Sequence, residues 1–127
     1  MRALLIAALA IAAVAAPGAA KDRSQVPEAT PDGKPESCIS LNRIRQSHVR
    51  NDRVIDFEMY GGKLYRNTLD YSCPSLGFEK RFAYRTSMSE LCSVDIITVL
   101  QSPGITRGAS CGLGEFQPVK LVKPAKP

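Results

Sequence analysis

Hydrophobic and polar positions alternate with period two through much of the stretch from Cys38 to Val119, and glycine or proline marks most breaks in the pattern. In Val54–Tyr60 the residues Ile55, Phe57 and Met59 fall on one side and Asp56 and Glu58 on the other, which is the signature of a half-buried strand. Gly61-Gly62 follows, and then a second run over Lys63–Leu69. Two glycines between such runs predict a hairpin over 54–69, because both turn positions accept positive φ. Upstream, Ile39 and Leu41 alternate and Ile44 breaks the register, which predicts a bulge near Asn42-Arg43. Phe78, Phe82 and Tyr84 alternate loosely, whereas Val94–Leu100 is almost wholly apolar apart from Asp95 and Thr98 and reads as a central strand covered on both faces. Pro103-Gly104 ends that run with a turn, and Cys111–Val119 supplies a last strand interrupted by Gly112 and Gly114. No apolar 3.6-residue repeat is long enough for more than a helical turn, around Pro74–Gly77 or Met88–Leu91. The expected fold is mostly β: a single small antiparallel barrel or rolled sheet of about six short strands, stapled by two disulfides.

The N-terminus changes where that fold begins. Met1-Arg2 precedes an unbroken apolar run, Ala3–Ala16, which ends at Pro17-Gly18-Ala19-Ala20. A spanning helix needs about 20 apolar residues, so this shorter run reads as a signal peptide over 1–20, cut after Ala20. Cys38 lies far beyond the cut, which leaves no cysteine placed for a lipid anchor and no transmembrane segment in the mature chain. Residues 21–37, punctuated by Pro27, Pro31 and Pro35, have little to bury and are expected to be a flexible linker. The β domain is expected over 38–119 and a basic, disordered tail over 120–127.

A domain of about 80 residues is near the size at which a hydrophobic core alone is marginal, which gives the four cysteines their importance. After export they are expected to form two disulfides. Three pairings exist. In a simple up-and-down meander Cys38 and Cys92 both begin odd strands at one end of the sheet, while Cys73 and Cys111 share the other end. That parity favours Cys38 with Cys92 and Cys73 with Cys111, and one crossover connection would reverse it. A redox-active pair lacks the Cys-x-x-Cys spacing that lowers a thiol pKa.

Charge adds less than the totals promise. Removing the leader takes 17 basic residues against 12 acidic to 16 against 12, and three of the remaining bases are the tail lysines Lys120, Lys123 and Lys126. Export and this modest excess argue against a nucleic-acid partner. The chain holds one histidine and no tryptophan, and it carries no Gly-x-Ser-x-Gly, His-Glu-x-x-His or phosphate-cradling glycine loop. No metal site, cofactor or catalytic residue is expected. His48 reads as a loop imidazole beside arginines. Arg43, Arg45, Arg50 and Arg53 fall within eleven residues and form a candidate patch for an anion or a partner, with Tyr60 and Tyr65 of the hairpin beside it. Asp52, Asp56 and Glu58 are placed to neutralise that patch as surface pairs. Gly61 and Gly62 are expected to be structural, and Asp95 to cap a turn or pair with an arginine, since a catalytic carboxylate would want a second acid or a histidine aimed at the same point.

Five segments carry a resemblance: Cys38-Ile39, Gly62-Lys63-Leu64-Tyr65-Arg66-Asn67, Cys73-Pro74-Ser75-Leu76, Leu91-Cys92-Ser93-Val94-Asp95-Ile96-Ile97-Thr98-Val99 and Cys111-Gly112-Leu113-Gly114-Glu115-Phe116. In this order the chain resembles a family of short exported proteobacterial proteins catalogued as a domain of unknown function. The resemblance covers the whole expected domain and implies a periplasmic or secreted location in a Gram-negative bacterium, with no activity or site attached. Together with the residues, it leads to the expectation of a non-enzymatic binding or structural module of the bacterial envelope. Its expected partner is an envelope protein or an anionic polymer. Two alternatives are an inhibitor-like protein that blocks an enzyme with a disulfide-held loop such as Tyr71–Gly77, and a carboxylate-dependent hydrolase or transferase with Asp95 or another carboxylate at its centre.

Overall fold

The computed structural model describes residues 26–86, 88–104 and 106–122. The expected signal peptide over 1–20 and the part of the expected tail beyond Val122 lie outside the described residues. Ten short strands are present: Ala29–Pro31 (β1), Cys38–Ser40 (β2), Ile44–Val49 (β3), Val54–Met59 (β4), Leu64–Thr68 (β5), Phe82–Tyr84 (β6), Glu90–Cys92 (β7), Ile96–Gln101 (β8), Thr106–Gly112 (β9) and Phe116–Leu121 (β10). One helical turn, Leu76–Glu79 (α1), interrupts them. All pairings are antiparallel, in a five-stranded sheet of order β1-β10-β5-β4-β3, a two-stranded sheet β2-β7 and a three-stranded sheet β6-β8-β9.

The hairpin β4-β5 pairs Val54 with Thr68 through Glu58 with Leu64. At its tip Gly61 and Gly62 have φ of 97° and 91°, a region that side chains with a Cβ avoid. Strict alternation turns Ile55, Phe57 and Met59 into the core, where Phe57 meets Phe116 of β10 edge-on at 5.6 Å and Phe82 of β6 at 6.3 Å. This aromatic trio joins the five-stranded sheet to the three-stranded one. Leu69, Leu76, Leu91, Ile97 and Val99 are further fully buried aliphatic side chains of the core.

Two disulfides staple the assembly. Cys38 and Cys92 stand directly opposite each other in the β2-β7 ladder, and Cys73 joins the segment before α1 to Cys111 of β9.

Several expectations change. The strands number ten rather than about six, and among the described residues they form a small rolled arrangement of open sheets, not a closed barrel. Ala29–Pro31, expected within a flexible linker, is an edge strand on β10, and Glu36 bridges Phe116. Edge pairing is made by backbone groups, so it needs no apolar side chains, and Pro31 is tolerated there because an edge strand leaves one side of its backbone unpaired. At the other end β10 continues through Lys120 and Leu121, the first residues of the expected tail.

The expected bulge is a 3₁₀ turn over Leu41–Arg43 followed by a register shift between Ile44 and Gln46. The expected strand Val94–Leu100 begins only at Ile96, because Ser93–Asp95 is a turn, and β8 is central in its sheet but covered on one face only. Cys111–Val119 is divided between β9 and β10, with the break at Leu113–Glu115.

Candidate functional site

The segment following β5 is pinned from several directions by the turn between β3 and β4. Asn51 Oδ1 accepts hydrogen bonds from the backbone N–H groups of Arg53 (2.8 Å) and Val54 (2.7 Å), which shapes that turn. Asp52 is thereby aimed at the segment: its carbonyl accepts from Cys73 N–H at 2.7 Å, and its carboxylate accepts from Gly77 N–H at 2.7 Å. Arg53 donates through Nε to the carbonyl of Leu69 (2.7 Å) and through Nη2 to that of Asp70 (3.2 Å). The Cys73–Cys111 bond ties the middle of the segment to β9, and the Leu69 and Leu76 side chains are fully buried anchors. A Cβ on Gly77 would press on the Asp52 carboxylate and on the Asn51-Asp52 backbone, so the helical turn sits as close as it does because this residue is glycine.

Two non-glycine residues, Ser75 (φ 68°) and Lys80 (φ 56°), flank α1 in the left-handed region, so the surrounding contacts fix a conformation the chain would not choose locally. What this frame displays is Tyr71, 84% exposed, and Phe78, 86% exposed. An open groove of about 450 Å³ runs beside Tyr71, between Asp70–Pro74 and Ala109–Gly112 of β9.

Of the arginines expected to form an anion patch, Arg45, Arg50 and Arg53 are taken up by acids or backbone carbonyls. Arg43 is exposed, and its carbonyl accepts from Tyr60 N–H near the hairpin tip. Arg45 lies 3.6 Å from Glu58. Arg50 turns onto Asp56 with Nε at 2.9 Å, and Arg53 is committed to carbonyls at the opposite end of the β3-β4 hairpin. Tyr60 is exposed, but Tyr65 is buried. Burial, reinforced by a hydrogen bond with Glu36, raises the Tyr65 pKa above its ordinary value, and the neighbouring Tyr65 hydroxyl raises that of Lys63.

Asp56 is fully buried where a surface pair was expected, held also by Arg66 through Nε at 2.8 Å and Nη2 at 3.0 Å. Arg66 Nη2 in turn donates to the Pro27 carbonyl, so the N-terminal segment helps to cover the cluster. His48 lies within β3, with Nε2 at 3.2 Å from Glu58 Oε2. The groove of about 590 Å³ above this face, lined by His48, Arg50, Glu58 and Leu64, therefore holds charges that already answer one another.

Asp95 caps its turn: Oδ2 accepts from Cys92 N–H at 2.7 Å. Among the described residues one grouping of metal-ligand types occurs, Cys38, Glu90 and Cys92, and its two sulfurs are bonded to each other, so it offers no thiolate to an ion. Among the described residues no helix is long and apolar enough to cross a membrane.

Sequence reasoning placed Tyr71 in a candidate loop but left Phe78 in a loose alternation with Phe82. The signal for its exposure was the confinement of the segment by Cys73-Pro74 and Gly77, which forbids a continuous strand through Phe78. No family model, characterised protein or solved structure matches this chain.

Proposed function

We propose that this chain is an exported, non-enzymatic binding module that engages a protein partner through the segment 70–80. The carrying observation is the display of Tyr71 and Phe78, both more than four-fifths exposed, on a segment tied by a disulfide, two buried leucines and the Asp52 hydrogen bonds. Large aromatics dominate the energetics of protein interfaces, and a surface already held in place loses little entropy when it binds. The two disulfides fit an oxidising compartment, and the apolar leader and the resemblance to exported proteobacterial proteins support the periplasm or the cell exterior. If the partner is an enzyme, the same segment serves as an inhibitory wedge.

The test is capture from a periplasmic or envelope extract with the immobilised mature chain, comparing wild type with Y71A/F78A and with Y60A as an exposed-tyrosine control. A partner retained by wild type and Y60A but lost with Y71A/F78A is the expected result, provided that the double variant melts within about 2 °C of wild type, as exposed positions allow. Equal retention by all three would overturn the proposal.

A further inference from the structure

Most arginines in the described chain are spent on partners: Arg50 and Arg66 on Asp56, Arg45 on Glu58, Arg53 on backbone carbonyls, and Arg81 on the Ser102 hydroxyl and the Gly104 carbonyl. Arg43, exposed near the β4-β5 hairpin tip, has no side-chain partner among the described residues, and Arg85 and Arg107 share that state but stand together. Both are exposed, and among the described residues neither guanidinium has an ion pair or a hydrogen bond. They line one groove of about 220 Å³ on the outer face of the β6-β8-β9 sheet, and no acidic side chain lines it with them.

Its floor is Ala83, Ile96, Thr98 and Leu100, Ile96 being 58% exposed, and Tyr84 also lines it, with its ring 6.3 Å from that of Phe82. The register explains this arrangement. Ile97 and Val99 face the core, so Ile96, Thr98 and Leu100 must face outward. Tyr84 pairs with Ile97, which puts Arg85 beside Ile96, and Leu100 pairs with Arg107 on the other flank. The two arginines therefore stand at diagonal corners. Four residues along a strand and two strand spacings across it separate their Cα atoms by about 16 Å.

We propose that this face is a binding site for an extended acidic protein segment of the pattern acidic-x-apolar-x-acidic. In an extended chain the first, third and fifth side chains share one face and span about 13 Å, and the reach of the acidic and arginine side chains covers the remaining distance. The outer carboxylates then meet Arg85 and Arg107 as charge-assisted pairs, and the central apolar side chain covers Ile96 and Leu100. An acidic glycan is the poorer fit, because the floor is aliphatic and the one aromatic of the lining, Tyr84, pairs with core-facing Ile97 and keeps its ring beside Phe82 rather than offering a flat platform. A membrane is poorer still, because the apolar side chains floor a groove instead of crowning a convex tip. This site shares no residue with the Tyr71 and Phe78 segment, so either can fail without the other.

The test uses the mature chain and a fluorescent peptide carrying Glu-Ala-Leu-Ala-Glu between neutral flanks, read by anisotropy at two salt concentrations. The expected result is salt-sensitive binding that falls at least about 10-fold in R85Q/R107Q, a loss of the size expected for two charged hydrogen-bonding groups. The I96T variant is expected to weaken binding by roughly 3- to 10-fold through lost apolar contact, while Y71A/F78A stays within about 2-fold of wild type. The Gln-Ala-Leu-Ala-Gln peptide should bind as poorly to wild type as the acidic peptide binds to R85Q/R107Q. Both arginine side chains are exposed and unpartnered, so unchanged circular dichroism is expected in the variants. The proposal is overturned if R85Q/R107Q binds the acidic peptide as wild type does, or if wild type shows no binding up to about 1 mM peptide. It is equally overturned if an oligouronate of matched charge or phosphatidylglycerol vesicles bind more tightly than the peptide.

Discussion

Single residues decide much of this fold through groups that have no alternative partner. Asn67 is fully buried in β5, and its amide exchanges two hydrogen bonds with the backbone of Gly114, at 2.7 and 2.8 Å. A Cβ at Gly114 would run into the Thr68 carbonyl, so the glycine of Leu113-Gly114-Glu115 lets the chain entering β10 approach β5. Gly114→Ala is expected to cost about 3 kcal/mol, from overpacking and the broken exchange with Asn67, as measured by chemical denaturation. Gly112, by contrast, has open space where its Cβ would be. Asp56 supplies a second case. Burying its carboxylate is affordable only with both guanidiniums in place, so Asp56→Ala, which strands Arg50 and Arg66, should cost about 3 to 5 kcal/mol. Tyr65 gives a pH signature. Its folded pKa is raised, so the stability it contributes is fully present below the unfolded value of about 10 and is lost as pH climbs through the higher folded value. An ultraviolet titration should show an ionisation step above pH 10 that is missing in Tyr65→Phe; an identical curve would refute this. The alternation of Ile55, Phe57 and Met59 was readable from sequence, but the burial of Asp56 on the opposite face was not. A period-two pattern assigns faces, and it cannot say that Pro27 and two arginines will cover the polar one.

At the scale of elements, local signals held where local geometry governs and failed where distant segments do. The β4-β5 hairpin is legible because two glycines and strict alternation specify both its turn and its register. The strand β1 was not legible, since Ala29–Pro31 has no pattern of its own and is paired only because the β10 backbone offers an edge. The same distinction explains the arginines. Their clustering in sequence from Arg43 to Arg53 spans a strand and a turn, which carries them to opposite ends of a hairpin, whereas Arg85 and Arg107, 22 positions apart, share one groove. The 70–80 segment was half legible: its cysteine and proline marked a constrained loop, but its clamp, Asp52, lies 25 positions from Gly77. Asp52→Ala removes the carboxylate that accepts from Gly77 N–H. It is expected to cost about 0.5 to 2 kcal/mol, the range of a lost helix cap, and to speed amide exchange at Gly77 and its neighbours while β4 and β5 keep their protection.

Over the whole molecule, the covalent links compensate for a core shared among three small sheets. The disulfides close loops with sequence separations of 54 and 38, for which the chain-entropy model gives about 4 kcal/mol each. C38S/C92S and C73S/C111S should therefore lower unfolding free energy by similar amounts in urea, and the second should also loosen the Tyr71 and Phe78 segment. The pairing was anticipated from a meander, yet the chain is not one: β2 meets β7 across four intervening strands, and Cys38 faces Cys92 because those two strands are partners. The fold class was legible because alternation and turn chemistry are written locally. The division into three sheets was not, because strand partnership depends on which edges remain unclaimed once the chain has collapsed. One of those partnerships limits the order in which the sheet can be completed. β10 is the last strand among the described residues but lies inside the five-stranded sheet, between β1 and β5, and brings Phe116 to the core. If the chain emerges N-terminus first, as the proposed export would require, the slot between β1 and β5 stays unfilled until β10 appears, so the five-stranded sheet can close only late.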